Sequence, residues 1–167
     1  MFIRIKNINK HDYAYLVENK WTKKGTRQKT KGYLGKVIPL GDIPHSTSDV
    51  NSTTLDDFFT KSLLSLLEGV GFIITKHCAE KDDILIDIKK RSVTRKDKKC
   101  VLQVNQGFMC NYTLKEIFQF STRKYVNKLQ TDNKNVGLKL ANSLVGVGLL
   151  LDEETFIELY AKLVPNE

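Results

Sequence analysis

Arg27, Lys29 and Lys31 alternate with Gln28 and Thr30 inside the stretch from Trp21 to Lys36, WTKKGTRQKTKGYLGK. The stretch holds six Lys or Arg, no acid, three Gly, one Trp and one Tyr. An extended chain presents alternate side chains on one face. These three cations are therefore predicted to form a ladder, which Arg4 and Lys6 extend across a sheet if the register agrees. Lys23 and Lys24 stand at the turn beside it. Such an array suits one kind of chemistry, the neutralisation of phosphates with release of their counterions. Gly25 and Gly32 would let the backbone turn or approach a phosphate closely. Tyr13, Tyr15 and Trp21 could stack on bases, but a small sheet needs apolar cover, and cover is the default role. The plain alternative is a solvated edge hairpin whose lysines oppose aggregation.

The charge distribution favours the first reading. The net charge is +8. Residues 1–40 hold ten Lys or Arg and two acids, whereas residues 41–167 hold seventeen of each. The whole excess lies in the first quarter of the chain. Salt screens exposed charges beyond about 8–10 Å, so a concentrated patch attracts a polyanion better than the same charge spread evenly. A second basic cluster, Lys89, Lys90, Arg91, Arg95, Lys96, Lys98 and Lys99, includes one Asp and is masked in the net count by acids elsewhere.

Catalytic patterns are sparse. Asp83 and Asp87 precede Lys89 and Lys90, faintly like a metal-dependent nuclease, which gathers carboxylates on one or two ions. Asp56-Asp57 and Asp152 to Glu154 read as first-turn helix acids instead. His11, His45 and His77 have no nucleophile motif around them. Cys78, Cys100 and Cys110 are odd in number and widely spaced, which suits reduced thiols, and with His77 they could hold a metal only if the fold gathered them. Two Gly-Val-Gly triplets follow helical patterns rather than strands, so they are predicted to end helices, not to cradle a dinucleotide. No cofactor motif is present.

These residues need elements to position them. Residues 2–8, 13–20 and 26–34 read as three strands joined by turns, a basic antiparallel meander over 1–38. Residues 39–53, with two prolines and many Ser, Thr, Asp and Asn, read as a linker. An α+β domain is predicted over 54–167. Its first helix is capped by Thr54, with Leu55, Phe58, Phe59, Leu63, Leu66 and Leu67 facing a core. Strands are expected at 72–76 and 84–88, with 100–104 as the hairpin partner of the latter. The last third reads as helical, with starts at Thr113, Val136 and Asp152, and an apolar stripe of Phe156, Ile157, Tyr160 and Leu163. The most apolar window, 138–151, is too short and polar to span a bilayer, and no secretory signal opens the chain, so a cytoplasmic location is expected.

Phe2-Ile3-Arg4-Ile5-Lys6, then YLVE at Tyr15 to Glu18, RQK at Arg27 to Lys29 and YLGK at Tyr33 to Lys36 carry a resemblance. Residues 2–38 resemble the N-terminal basic β segment of some insertion-sequence transposases and of short archaeal proteins with the same opening. The resemblance implies help in holding DNA. It covers under a quarter of the chain, and no transposase catalytic domain follows. The sequence thus points to a non-enzymatic protein that binds DNA or structured RNA through a basic sheet face. A protein-interaction adaptor docking through its C-terminal helices is the alternative, and a metal-dependent nuclease the enzymatic one.

Overall fold

The computed structural model describes residues 1–43, 50, 54–132 and 134–164. The chain opens as the meander the alternation predicts. Strands β1 (Phe2–Ile8), β2 (His11–Thr22) and β3 (Gly25–Gly41) pair antiparallel in sequence order. The β1–β2 turn is Asn9-Lys10, both at positive φ (51° and 64°), the twist that a two-residue hairpin requires.

The meander is not a separate three-stranded sheet. The end of β3 pairs in parallel with β8 (Lys98–Val104), setting Lys36 against Cys100, Val37 against Val101 and Ile38 against Leu102. The sheet continues through β7 (Ser92–Arg95), β6 (Ile84–Asp87), β5 (Cys78–Lys81) and β4 (Ile73–Thr75). With β9 (Gly107–Met109) on β8, nine strands form one sheet among the described residues. The reason lies in β8. Cys100, Val101, Leu102 and Val104 are all buried, and a strand buried on both faces belongs in the middle of a sheet.

Two boundaries move accordingly. The partner of β6 is β7, not 100–104; Ile86 opposes Val93 there. Strand β7 hides inside the basic run 89–99, where its single fully buried side chain, Val93, is the only strong strand signal. Residues 39–41, expected to begin the linker, complete β3, with Pro39 opposite Gln103. The predicted linker's residues 44–49 and 51–53 lie outside the described residues. Val50 is buried against the main core.

Five α-helices among the described residues pack into that core. Helix α1 (Leu55–Gly69) starts at Thr54, whose hydroxyl oxygen accepts from the Asp57 N–H at 3.2 Å. It buries Phe58, Phe59, Leu63, Leu66 and Leu67. Both Gly-Val-Gly triplets end helices. Gly71 (φ +83°) follows α1 and Gly148 (φ +88°) follows α4 (Val136–Val147). In each, the next N–H reaches back five residues, Phe72 to Leu67 at 3.1 Å and Leu149 to Leu144 at 3.0 Å. Helix α2 (Asn111–Phe118) begins two residues before the expected Thr113 start. Cys110 takes the cap position, and the Thr113 hydroxyl accepts from its N–H at 3.0 Å. A 3-10 turn (Gln119–Ser121) and α3 (Arg123–Thr131) lead to α4. Asp152 caps α5 (Glu153–Leu163) by accepting from the Thr155 N–H at 2.8 Å. Helix α5 buries Leu159 and Leu163. Two members of its expected stripe are exposed, Ile157 at 58% and Tyr160 at 38%. No described helix is long and apolar enough to cross a membrane.

The sheet centre is covered on both faces. The main core packs the helices against Ile86, Leu102 and Val104. A smaller core of Ala14, Val37, Val101 and Cys110, with Ile3, Ile5 and Tyr112 around it, fills the opposite side. Where β3 passes onto β8, Gly35 lies at φ +141°, and a Cβ there would stand 2.6 Å from the Cys100 Cα and the Lys99 carbonyl oxygen. Gly35→Ala is expected to lower stability by about 2 kcal/mol or more. Gly32→Ala, with nothing within 4 Å of the added carbon, is expected to stay within about 0.5 kcal/mol of the parent. Thermal or urea unfolding of the two variants checks the contrast.

Candidate nucleic-acid interface

β1 is shorter than its neighbours, and this creates the candidate site. Its first residue, Phe2, opposes Val17, so beyond that point β2 and β3 pair only with each other. Residues 18–29 form a two-stranded arm that projects about 15 Å past β1, at roughly 3.3 Å per residue. Residues 19–24 and 26–31 are exposed. An isolated hairpin is marginal in water, so the arm depends on its anchored base.

The register decides which side chains share a face. On one face of the arm Lys20 opposes Arg27 and Glu18 opposes Lys29. On the other, Trp21 opposes Thr26 and Asn19 opposes Gln28. Towards the base, β3 carries two extra residues. Val17 pairs with Thr30 but Leu16 with Gly32, leaving Lys31 as a bulge; Tyr15 pairs with Tyr33 but Ala14 with Gly35, leaving Leu34 as another. Each bulge shifts the parity of β3 against β2.

The single ladder expected from alternation is therefore divided. Arg4 and Lys6 oppose Tyr15 and Tyr13 and lie on the Trp21 face, not beside Arg27 and Lys29. Arg4 Nη1 donates to Gln28 Oε1 on that face. Lys6 Nζ sits 4.9 Å from the Tyr15 ring centre. Tyr33 contacts Tyr15 and Tyr13, with ring centres 5.4 and 6.4 Å away, and burial followed by the neighbouring tyrosines pushes its hydroxyl pKa up. Tyr13 and Tyr15 are half-buried, so they act as cover, as expected. Trp21 does not, at 86% exposure.

The arm keeps most of its charge uncompensated. Lys31 Nζ meets Glu18 at 3.1 Å, and that close lysine holds the Glu18 carboxyl below its usual range. No ion pair among the described residues engages Lys20, Lys23, Lys24, Arg27 or Lys29. Strand parity in β3 alone does not single out Lys20, which lies on β2. The unequal lengths of the first two strands were the signal that could have found it, since only the longer strand can overhang.

The second basic cluster is mostly committed within the fold. Arg91 bonds Asp56 at 3.0 Å, donates to the Ile88 carbonyl and lies over the Phe118 ring, tying α1 to α2. Lys90 meets Asp87 at 3.3 Å. Arg95 Nε meets Asp83 at 2.6 Å, and Lys96 meets the same carboxylate at 3.6 Å. Lys89, Lys98 and Lys99 are exposed and in no ion pair among the described residues.

These contacts also account for the two aspartates considered as metal ligands. The Arg95 hydrogen bond holds Asp83 below its usual range. Burial raises Asp87, but the Lys90 backbone N–H and side chain outweigh it and leave it lowered. Among the described residues no group of three His, Cys, Asp or Glu could hold a metal ion, so His77, Cys78, Cys100 and Cys110 make no such site. His45 lies outside the described residues. Cys100 is buried, which pushes its thiol up to about 11.

The Asp83–Arg95 pair has a defined pH window. A carboxyl with a lowered folded pKa stabilises above its ordinary value, about 3.9, and that contribution is lost as pH falls through the folded value. Asp83→Asn is expected to destabilise the protein at neutral pH and to flatten the acid limb of its stability curve. Urea titrations between about pH 2 and pH 7 measure both effects. Unchanged acid dependence would show that the pair contributes nothing to folding.

No family model, curated protein or solved structure matches this chain, so its functional reading rests on the chemistry of the arm and its surroundings.

Proposed function

We propose that this protein is a non-enzymatic nucleic-acid-binding protein that grips a phosphate backbone with its projecting β-ribbon. One observation carries the reading. Five cations, Lys20, Lys23, Lys24, Arg27 and Lys29, stand on an exposed two-stranded arm with no carboxylate partner among the described residues. A ribbon of this kind is narrow enough for the major groove of a duplex, about 12 Å wide, and slim enough to lie along a single strand. The resemblance of residues 2–38 to a transposase DNA-holding segment points the same way. Arg4 and Lys6 at the arm's base, and Lys89, Lys98 and Lys99 elsewhere, are secondary contacts. Arg91, Arg95 and Lys96 serve the fold first.

Phosphate contacts of this type make affinity fall with salt, with a log–log slope of about −0.7 to −0.9 per phosphate neutralised. Lys20→Gln, Arg27→Gln and Lys29→Gln are each expected to reduce that slope by about one, with little change in sequence preference. Fluorescence anisotropy on mixed-sequence DNA and RNA at several salt concentrations measures it. Wild-type affinity and slope in the triple variant would remove the arm from the interface.

A second reading, a protein-interaction adaptor, draws on the C-terminal helices. Ile157, Tyr160 and Leu138 are exposed at 58%, 38% and 60%, and Glu153, Glu154 and Glu158 surround Ile157 in sequence. The partner would carry a basic, apolar-centred surface. Pull-down after nuclease treatment is expected to yield a stoichiometric protein that Ile157→Lys releases. Recovery of nothing stoichiometric would retire the adaptor.

A further inference from the structure

Resting on the nucleic-acid reading above, we infer that Trp21 is a stacking platform for an unpaired base, which makes single-stranded nucleic acid the favoured ligand of the arm.

Trp21 is the chain's one tryptophan and sits one residue from the end of β2. At 86% it is the most exposed large apolar side chain among the described residues. Its cross-strand neighbour is Thr26, and no described aromatic ring packs on it. A large aromatic side chain dominates the energy of whatever surface covers it. No described residue covers this one. The hairpin would keep its register without it, because the turn and the cross-strand ladder set that register.

The surroundings choose the ligand. Lys20 precedes Trp21, and Lys23 and Lys24 follow at the turn. A ring flanked by cations is the arrangement that holds single strands: the ring takes a base face and the cations take the adjoining phosphates. Within the arm the rest of the Trp21 face is neutral and hydrogen-bonding, with Asn19, Gln28 and Thr26 in register beside it, and Arg4 and Lys6 stand on the same face at the arm's base. Amide side chains can pair with the exposed edges of an unstacked base. In an intact duplex the base faces are buried in the stack, so the indole would gain nothing without unstacking, which costs a few kcal/mol per step. A membrane surface also attracts cations and tryptophan. It fits less well, because the neighbours of Trp21 on this face are polar and offer acyl chains no apolar area to match.

The single tryptophan makes the test direct, since all indole fluorescence reports this residue. Wild-type protein is titrated with oligothymidine, oligouridine, a mixed-sequence DNA duplex and vesicles containing phosphatidylserine. Quenching is expected with the single strands and little change with the duplex. Trp21→Ala, at an exposed position, leaves the circular dichroism spectrum unchanged. It is expected to weaken single-strand binding about 5- to 150-fold, the equivalent of one stacked base. Trp21→Phe restores part of that loss, and all variants keep the wild-type salt slope. Salt-dependent binding without quenching, or with equal single-strand affinity in Trp21→Ala, would overturn the stacking inference and leave the phosphate grip standing. Binding to neither polymer would end both. A blue shift with vesicles alone would transfer Trp21 to a membrane role.

Discussion

The parallel pairing of β3 with β8 is the constraint on which the rest of the structure depends. β3 runs for 17 residues, and its two ends do different things. From Lys36 to Gly41 it is held against β8, with Val37 in the small core and Ile38 against the main one. From Gly25 to Lys29 it has no partner but β2. A projecting ribbon can hold its shape only if its base is rigid. Here that base runs directly into the segment paired with β8, whose Cys100, Val101, Leu102 and Val104 are buried. Parallel neighbours also need a long crossover, and the chain uses it fully: α1 and β4 to β7 all lie between β3 and β8 in sequence. The basic opening and the apolar remainder are therefore one sheet, joined at the strand buried on both faces.

The two basic clusters show how neighbours decide what a charge is for. Both are rich in Lys and Arg. The one at 89–99 lies beside Asp56, Asp83 and Asp87, and four of its seven cations are taken up in ion pairs. Arg91 is partly buried over an aromatic ring, where its guanidinium works as a fastener between helices. The arm has one acid, Glu18, which occupies one lysine. Its other cations face water. A polyanion that replaced water and counterions there would not have to break existing ion pairs. Composition ranks the two clusters as near equals; the carboxylates brought close by folding separate them.

The bulges at Lys31 and Leu34 reshape the interface as well. Without them the parity of β3 would line Arg27, Lys29, Lys31 and Tyr33 along one face. With them the arm acquires a cationic face and a face of Trp21, Asn19 and Gln28, while Tyr33 turns to join Tyr13 and Tyr15. A ribbon with two unlike faces can meet the phosphates and the bases of one ligand at once, which one uniform ladder cannot.

Several features were legible in the sequence alone because their causes are local. Alternation and the Asn9-Lys10 turn specified the meander. Thr54, Asp152 and the Gly-Val-Gly triplets marked helix ends through hydrogen bonds that span only a few residues. The charge excess in the first forty residues located the basic surface. Other features depended on residues distant in sequence, and no local pattern held them. Which strand lies beside β3 is set by the need to bury β8 on both sides. Which cations remain unpaired is set by aspartates that approach only in the folded chain. The faces of the arm follow from two extra residues in β3, visible only against its partner strand. A small sheet's need for apolar cover predicts a covered Trp21; it stands clear because β1 ends before reaching it. The sequence determined that a basic ribbon exists, since extended alternation is a property of each strand. Its projection, its division into two faces and its uncompensated charge were decided by tertiary structure, because each is a relation between strands rather than a property of one.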